Sequence, residues 1–353
     1  MAFTHFIPEV WDASLLTILD KSLVYAGAPC ANRDYEGDIS AFGDTVHINS
    51  IADPTISDYT KNTDLADPEV LTDDEQLLVI DQQKSFNFYI DDIDKAQVRN
   101  AGGVWDEATR RAGFGLRDKA DQFAAGLLAA GAGNGLGVVD ASSTATNVYD
   151  NVLVPASVKL DEANVPEEMR WIVLPPAVYG KLQLDDRFIK QNESGTAALH
   201  NGQVGNAAGF QIFKSNNAPV SASHVVSDAT GSSGSKTLTS ASGSFRGSDV
   251  GLAPTGTNLG TNTVITAVSL DGTTATVSVA NSGAVSSAVT VPAGANKLVI
   301  AGTSIGFSFA QQILETRAYS PEKRFGDALK GLHVYGAKVV RPEALVTASV
   351  KTS

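Results

Sequence analysis

The closing stretch of this chain, residues 302–353, restricts its fold more than any other. Two β-leaning segments lie there, one opening Phe307-Ser-Phe-Ala and the other Gly331-Leu-His-Val-Tyr. The connection between them, through Ser320, Pro321, Glu322, Lys323, Gly326 and Asp327, is turn chemistry, so the two can pair as strands. A lone hairpin is at best marginally stable in water. The elements that support it must come from the other end of the chain, across a block of quite different composition.

Those elements are legible. Pro8 followed by Val10, Trp11, Leu15, Ile18, Leu19 and Leu23 gives one apolar stripe at helical spacing, ending at Gly27. Residues 44–51 alternate like a strand, and so do residues 85–90. Roughly thirty mostly polar residues separate them, among them Asp64, Asp67, Glu69, Asp73, Asp74 and Glu75. A connection this long predicts a protruding hairpin arm. An acidic run is ordinarily a solvated face; as a functional element it would lie on a basic surface of a neighbouring subunit. Asp91 and Asp92 cap a short helix, and a long helix follows over residues 104–130. Leu116, Ala120, Phe123, Leu127 and Leu128 share one face of it, with Asp106/Arg110, Glu107/Arg111 and Arg117/Asp121 as i,i+4 pairs on the other. Such a helix spans roughly 40 Å, the length of a domain. The glycines at 131, 133, 135 and 137 are read as its flexible C-terminal cap.

Trp171-Ile-Val-Leu-Pro-Pro reads as a buried strand running into a helix through Tyr179, Leu182 and Leu184, and residues 209–217 as another strand and turn. The composition then changes. From residue 214 to 306 Phe245 is the only aromatic, and Ser, Thr, Gly, Ala and Val dominate. Two β-leaning segments flank Asp271-Gly272, a strong hairpin signal, and residues 288–291 and 297–300 add short strands. A small β-sandwich or barrel inserted in a host domain is expected, with Val264, Ile265, Val268, Val277 and Val279 in its core.

The formal charge of −13, from 26 basic against 39 acidic residues, argues against tight sequence-independent nucleic-acid binding, which runs on phosphate neutralisation by Lys and Arg. The single cysteine, Cys30, excludes an intramolecular disulfide and a cysteine-rich zinc site. It is read as a small apolar turn residue. Glu9, Asp12 and Asp20 interrupt the N-terminal apolar stretch, so no signal peptide is expected there, and no uncharged run suits a membrane span. Gly302-Thr-Ser304-Ile-Gly306 matches the nucleophile-elbow pattern, with Asp327 and His333 following in triad order, but an elbow needs a strand-to-helix turn and Phe307 and Phe309 alternate like a strand. The five histidines form no i,i+4 pair, so neither a metal nor another cofactor is expected.

Taken in order, the segments resemble a known family. Ile7-Pro-Glu-Val-Trp and Leu23-Val-Tyr-Ala-Gly lead to Gly37-Asp-Ile and Gly43-Asp-Thr-Val-His-Ile; Tyr89-Ile-Asp-Asp-Ile-Asp-Lys-Ala-Gln precedes the long helix. Val165-Pro-Glu-Glu-Met-Arg-Trp, Ser215-Asn-Asn-Ala-Pro and the closing hairpin follow. Over residues 1–222 and 300–353 this resembles a tailed-bacteriophage major capsid protein of the Hong Kong 97 fold, in the branch with an inserted domain. The resemblance implies an α+β chain: an N-terminal arm (1–43), an extended loop (44–90), a peripheral domain with a spine helix (91–135), an axial domain (136–222), an inserted all-β domain (223–299) and closing strands of both domains (300–353). It implies a structural protein, not an enzyme, that self-assembles as hexamers and pentamers into an icosahedral head shell around double-stranded DNA. The DNA would be contacted weakly and non-specifically. Partners would be scaffolding and portal proteins, with a decoration protein as an option, and no membrane. The chain would be assembled in the host cytoplasm and reside in the virion. Asp64, Asp67, Glu69, Asp73, Asp74, Arg110, Arg111 and Arg117 are the candidate intersubunit contacts. Two other readings are a cellular encapsulin-like nanocompartment shell and a carbohydrate-binding surface protein; the β block has almost no aromatic rings to stack on sugars.

Some relatives of this kind join subunits through Lys–Asn isopeptide bonds from an extended-loop lysine, for which Lys61 is the counterpart here. The acceptor asparagine would sit in the closing segment, and residues 303–353 contain none. Mature particles should therefore run as a single monomer band on denaturing gels, and a ladder would contradict this.

Overall fold

The computed structural model describes residues 23–34, 45–51, 58, 61, 73–92, 101–141, 147–184, 206–323 and 325–351. The first part of the chain gives β1 (Thr45–Ile51), β2 (Asp73–Val79), β3 (Gln82–Asp91) and the spine helix α1 (Ala101–Gly131). Then come β4 (Asn134–Asp140), α2 (Val154–Glu162), β5 (Arg170–Leu174), α3 (Pro176–Gln183), β6 (Asn206–Ala207) and β7 (Phe210–Lys214). The aromatic-poor block holds β8 (His224–Val226), β9 (Thr237–Thr239), β10 (Ile265–Val268), β11 (Thr274–Val277) and β12 (Val289–Val291). The chain closes with β13 (Leu298–Thr303), β14 (Phe307–Tyr319), β15 (Gly326–Val339) and β16 (Leu345–Lys351). The fold is α+β.

The closing hairpin forms as the sequence demands. β14 and β15 pair antiparallel along their length, with one irregularity between Ile313 and Glu315, and β3 adds to the far edge of β15. The expectation that residues 85–90 close an arm with residues 44–51 is not met. β3 is taken by β15, and β1 pairs with β2, which lies inside the polar segment read as a connection. Alternation in β2 was masked by its acidic start, although Leu78 and Ile80 are fully buried. Val46, Ile48, Leu78 and Ile80 pack this ribbon on Ala310 and Val334 of the peripheral sheet.

A six-stranded mixed sheet, in the order β4-β16-β13-β5-β7-β6, forms the second layer system. β5 is buried at every position because both its faces are covered. Trp171 and Val173 face α1 with Ile300 and Leu345, while Ile172 and Leu174 face the other way with Leu153, Leu160, Val178 and Leu182 of the α2 and α3 side. The glycine run after α1 is not a flexible cap: it is β4, parallel to β16. Residues 298–303 likewise belong to this sheet as β13 and not to the aromatic-poor block.

That block has a core of its own, formed by Val226, Leu238, Phe245, Ile265, Val277 and Val289 with their neighbours. Its β10–β11 hairpin turns at Asp271-Gly272: Gly272 has φ +68°, and the Asp271 carboxylate accepts from Ser269 Oγ at 2.5 Å and Thr273 Oγ1 at 2.8 Å. Of the expected core members, Ile265 and Val277 are buried and Val268 partly so; Val264 is half-buried and Val279 is exposed. The module is seated on β4. Gly247 N donates to Ala132 O at 3.2 Å, and a β-carbon at Gly135 would collide with the Gly247 carbonyl. Gly135 of β4 is thus explained by close backbone approach, and Gly137 by its φ of +77°.

His333 on β15 is fully buried, and burial holds its pKa down at about 4. Its neutral form is favoured in the folded chain, so this contribution to stability is complete above pH 6.5 and is lost as pH falls toward 4. Unfolding of the unassembled subunit should therefore lose ~2 kcal/mol between about pH 7.5 and about pH 5 that His333→Gln does not lose. Denaturant titrations of both proteins at the two pH values check this.

Candidate assembly surfaces

The central polar feature is Asp121, and the sequence reading misplaced it. Expected on the outer face of α1 as a partner of Arg117, it is instead 3% exposed and turned into the core. Its Oδ1 accepts from three successive backbone N–H groups, Val24 at 3.0 Å, Tyr25 at 2.7 Å and Ala26 at 3.4 Å. Its Oδ2 accepts from Asn217 Nδ2 at 3.1 Å. Consecutive N–H groups converging on one oxygen make an anion-binding nest. One carboxylate thereby ties the N-terminal segment, the spine helix and the turn after β7 together. The signal in the sequence was position: residue 121 adjoins Ala120 and Ala124 on the apolar stripe.

The clamp sets the local electrostatics. Burial first, and the Asp121 charge second, push the Tyr25 hydroxyl and the Cys30 thiol well above their usual ranges. Cys30 is fully buried, in keeping with its reading as a small apolar turn residue. The segment continues along the edge of β14, where Asn32 N donates to Phe307 O at 2.8 Å and Phe309 N to Asn32 O at 3.0 Å.

The outer face of α1 carries the three arginine candidates. Glu107 pairs with both Arg110 and Arg111, at 2.8 Å and 2.9 Å, and these hydrogen bonds, Arg111's foremost, hold its pKa down. The Arg117 guanidinium lies 4.0 Å from the centre of the exposed Phe114 ring. Arg110 and Arg111 are exposed, so both remain presented outward. On the acidic side, the register sets Asp73 opposite Ile51 and Asp74 opposite Ser50 at the far end of the ribbon. Asp64, Asp67 and Glu69 lie outside the described residues, as do Asp106 as a side chain and the N-terminal stripe before Leu23.

The elbow-like Gly302–Gly306 run joins two strands, β13 and β14, through a short 3-10 turn. His333 lies buried in the sheet with Gln311 as its ring partner at 3.3 Å, and Asp327 bonds Ser320 at 3.2 Å. The elbow context is therefore missing, and these residues hold strands together. Among the described residues no group of three or more His, Cys, Asp or Glu side chains could hold a metal ion. No described helix is long and apolar enough to cross a membrane.

A family model described as phage capsid protein matches residues 75–348, which include both large sheets and the spine helix. The chain belongs to the phage capsid protein family. This capsid protein matches no curated protein. Among solved structures it is similar to a chain from Mycobacterium phage Che8, 23% identical with a TM-score of 0.59 over 98% of each chain. It is also similar to the capsid structure of the cyanophage P-SCSP1u, at 17% identity and TM-score 0.54, over 89% of this chain and 85% of that one. The bacteriophage PhiM1 mature capsid aligns at 14% identity and TM-score 0.54, over 91% and 88%. At such identities the likeness bears on fold alone, and that fold is of the Hong Kong 97 type. The capsid protein is a head-shell subunit and a virion component, and its copies associate with one another. Family membership favours the phage head over the cellular-compartment reading.

Asp121→Ala would strand three backbone donors, those of Tyr25 and Ala26 buried and that of Val24 partly so, and an asparagine amide. It should cost about 3 kcal/mol, while Asp121→Asn, which keeps one acceptor, should cost less. Thermal unfolding gives the order of the three proteins. Protease cleavage within residues 23–34 should rise in parallel.

Proposed function

We propose that copies of this chain assemble as hexamers and pentamers into an icosahedral shell that encloses double-stranded DNA. The observation that carries this is family membership across residues 75–348, the part that builds both large sheets. Shell building repeats modest contacts by symmetry and requires no catalytic constellation, so the protein is proposed not to be an enzyme. The organisation follows the same plan: an N-terminal arm (1–43), an extended loop (44–90), a peripheral domain entered at 91–135, an axial domain (136–222), an inserted module (223–299) and closing strands (300–353). The pairing of β3 with β15 supports one change to that plan, in which the loop ends near Ile80 instead of residue 90 and residues 82–91 join the peripheral sheet.

Asp64, Asp67, Glu69, Asp73 and Asp74 of one subunit would meet basic surface on a neighbour, for which the outward Arg110, Arg111 and Arg117 of α1 are suited in sign. The inserted module would stand on the outer face. It carries only five charges from residue 225 to 296, two of them basic, a poor match to packaged phosphate. DNA inside would be contacted weakly and without sequence preference. Scaffolding and portal proteins complete the head, a decoration protein is an additional partner in this reading, and assembly takes place in the host cytoplasm.

Electron microscopy of the expressed chain should show closed shells, and a reconstruction should place residues 223–299 outside. Deleting residues 226–296 with a short linker should leave shells that lack surface protrusions. A monodisperse monomer, or a module facing the lumen, would overturn the reading.

A further inference from the structure

Phe325, at the tip of the β14–β15 hairpin, is 86% exposed, the most exposed large apolar side chain among the described residues. Its backbone is nevertheless fixed. The Phe325 carbonyl accepts from Tyr89 Oη at 2.6 Å and from Asp92 N at 3.4 Å. Gly326 beside it packs so closely on Ile90 and Tyr89 that a side chain there would collide. Turn chemistry calls for glycine, proline or small polar residues, so a phenylalanine here answers no local demand. An aromatic ring on a hydrogen-bonded backbone, held out among charged neighbours such as Glu322 and Lys323, has the form of a binding anchor.

The same three-stranded sheet bears a depression of about 340 Å³ further along. Its lining includes Leu332, Arg317, Lys330, Phe86 and the small Ser85. The Phe86 ring already covers Gly331, so the open space lies beside Ser85, Lys330 and Leu332. Phe325 cannot fill it in its own chain. Gly326 stands opposite Asp91, whereas Lys330 stands opposite Asn87, four residues back on β3. At about 3.3 Å per residue, Phe325 lies some five residues, or about 16 Å, from the depression along the strand.

We propose that Phe325 of one subunit docks into this depression on a second copy of the chain. The proposal rests on the shell-building reading and adds a specific contact to it. The contact is heterologous, tip of one copy on the flank of the next, and such a contact forms a ring where the repeated rotation closes on itself. The aliphatic stems of Arg317 and Lys330 would flank the phenyl ring, with their cationic ends near its face. Lys330 already makes such a contact within its own chain, 5.2 Å from the Tyr319 ring centre.

The test uses the full chain carrying Phe325→Cys and Asn87→Cys together; the one native thiol, Cys30, is buried. Oxidised shells should give covalent multimers on non-reducing gels that collapse on reduction, and neither single variant should. Phe325→Ala should lower shell yield about tenfold relative to free subunits, with Phe325→Trp restoring it. If a Phe325→Cys chain is folded by circular dichroism but unassembled, while Phe325→Trp assembles, that outcome also supports docking. Shells that form without cross-links, or an undiminished yield from Phe325→Ala, would overturn the docking alone. No shells from the unmodified chain would overturn the assembly reading, and the docking with it.

Discussion

The architecture depends on one buried carboxylate. Asp121 sits on the spine helix where the apolar stripe would otherwise continue, and it collects three backbone donors and one side-chain amide from distant parts of the chain. A buried charge without partners is strongly unfavourable; with this many hydrogen bonds it becomes a fixed point. The N-terminal segment can then lay Leu23, Tyr25, Ala26 and Cys30 into the same core as Phe307, Phe309 and Tyr335. Without the carboxylate, three converging N–H groups would have nothing to point at.

Around that point the chain stacks two sheets against one helix. Phe123 of α1 meets Tyr335 of the peripheral sheet edge-on, and one shared core holds Ala124, Ala125 and Leu128 of the helix together with Trp171 and Ile300 of the six-stranded sheet. A helix of 31 residues is long enough to serve both. This explains why its apolar stripe is broad and rich in alanine: small residues allow the close approach of elements on either side. The seam with the inserted module follows the same rule in a stronger form. There glycine meets glycine, Gly135 against Gly247, one backbone hydrogen bond joins Gly247 to Ala132, and Val250 and Val138 pack on Gly137 and Gly251.

Charge is distributed to match a subunit that works in many copies. The outer face of the spine helix keeps Arg110 and Arg111 exposed, while the module is nearly free of charge and has a thin core of small residues. A core built largely of valine, alanine and leucine with one phenylalanine buries modest apolar area. Its docking on β4 supplies the remaining support. His224 and Asp249, 3.3 Å apart and largely buried, sit within that docked part of the module.

By itself the sequence determined the closing hairpin, the long helix, the doubly buried strand at 170–174 and the Asp271-Gly272 turn. Each rests on local periodicity or turn chemistry, which act within a few residues. It also indicated the family, because the order of such elements is readable even where identity is low. Only the tertiary structure decided partners and faces. Period-two alternation says that residues 85–90 form a strand, but not whether it joins β1 or β15. An acid at position 121 looks like a surface partner for Arg117 until three N–H groups from residues 24–26 are placed beside it. The glycines at 133 and 135 look like a loose cap until another backbone is found pressed against them. In each case the deciding interaction joins residues roughly a hundred or more positions apart, and no local pattern encodes so distant a contact.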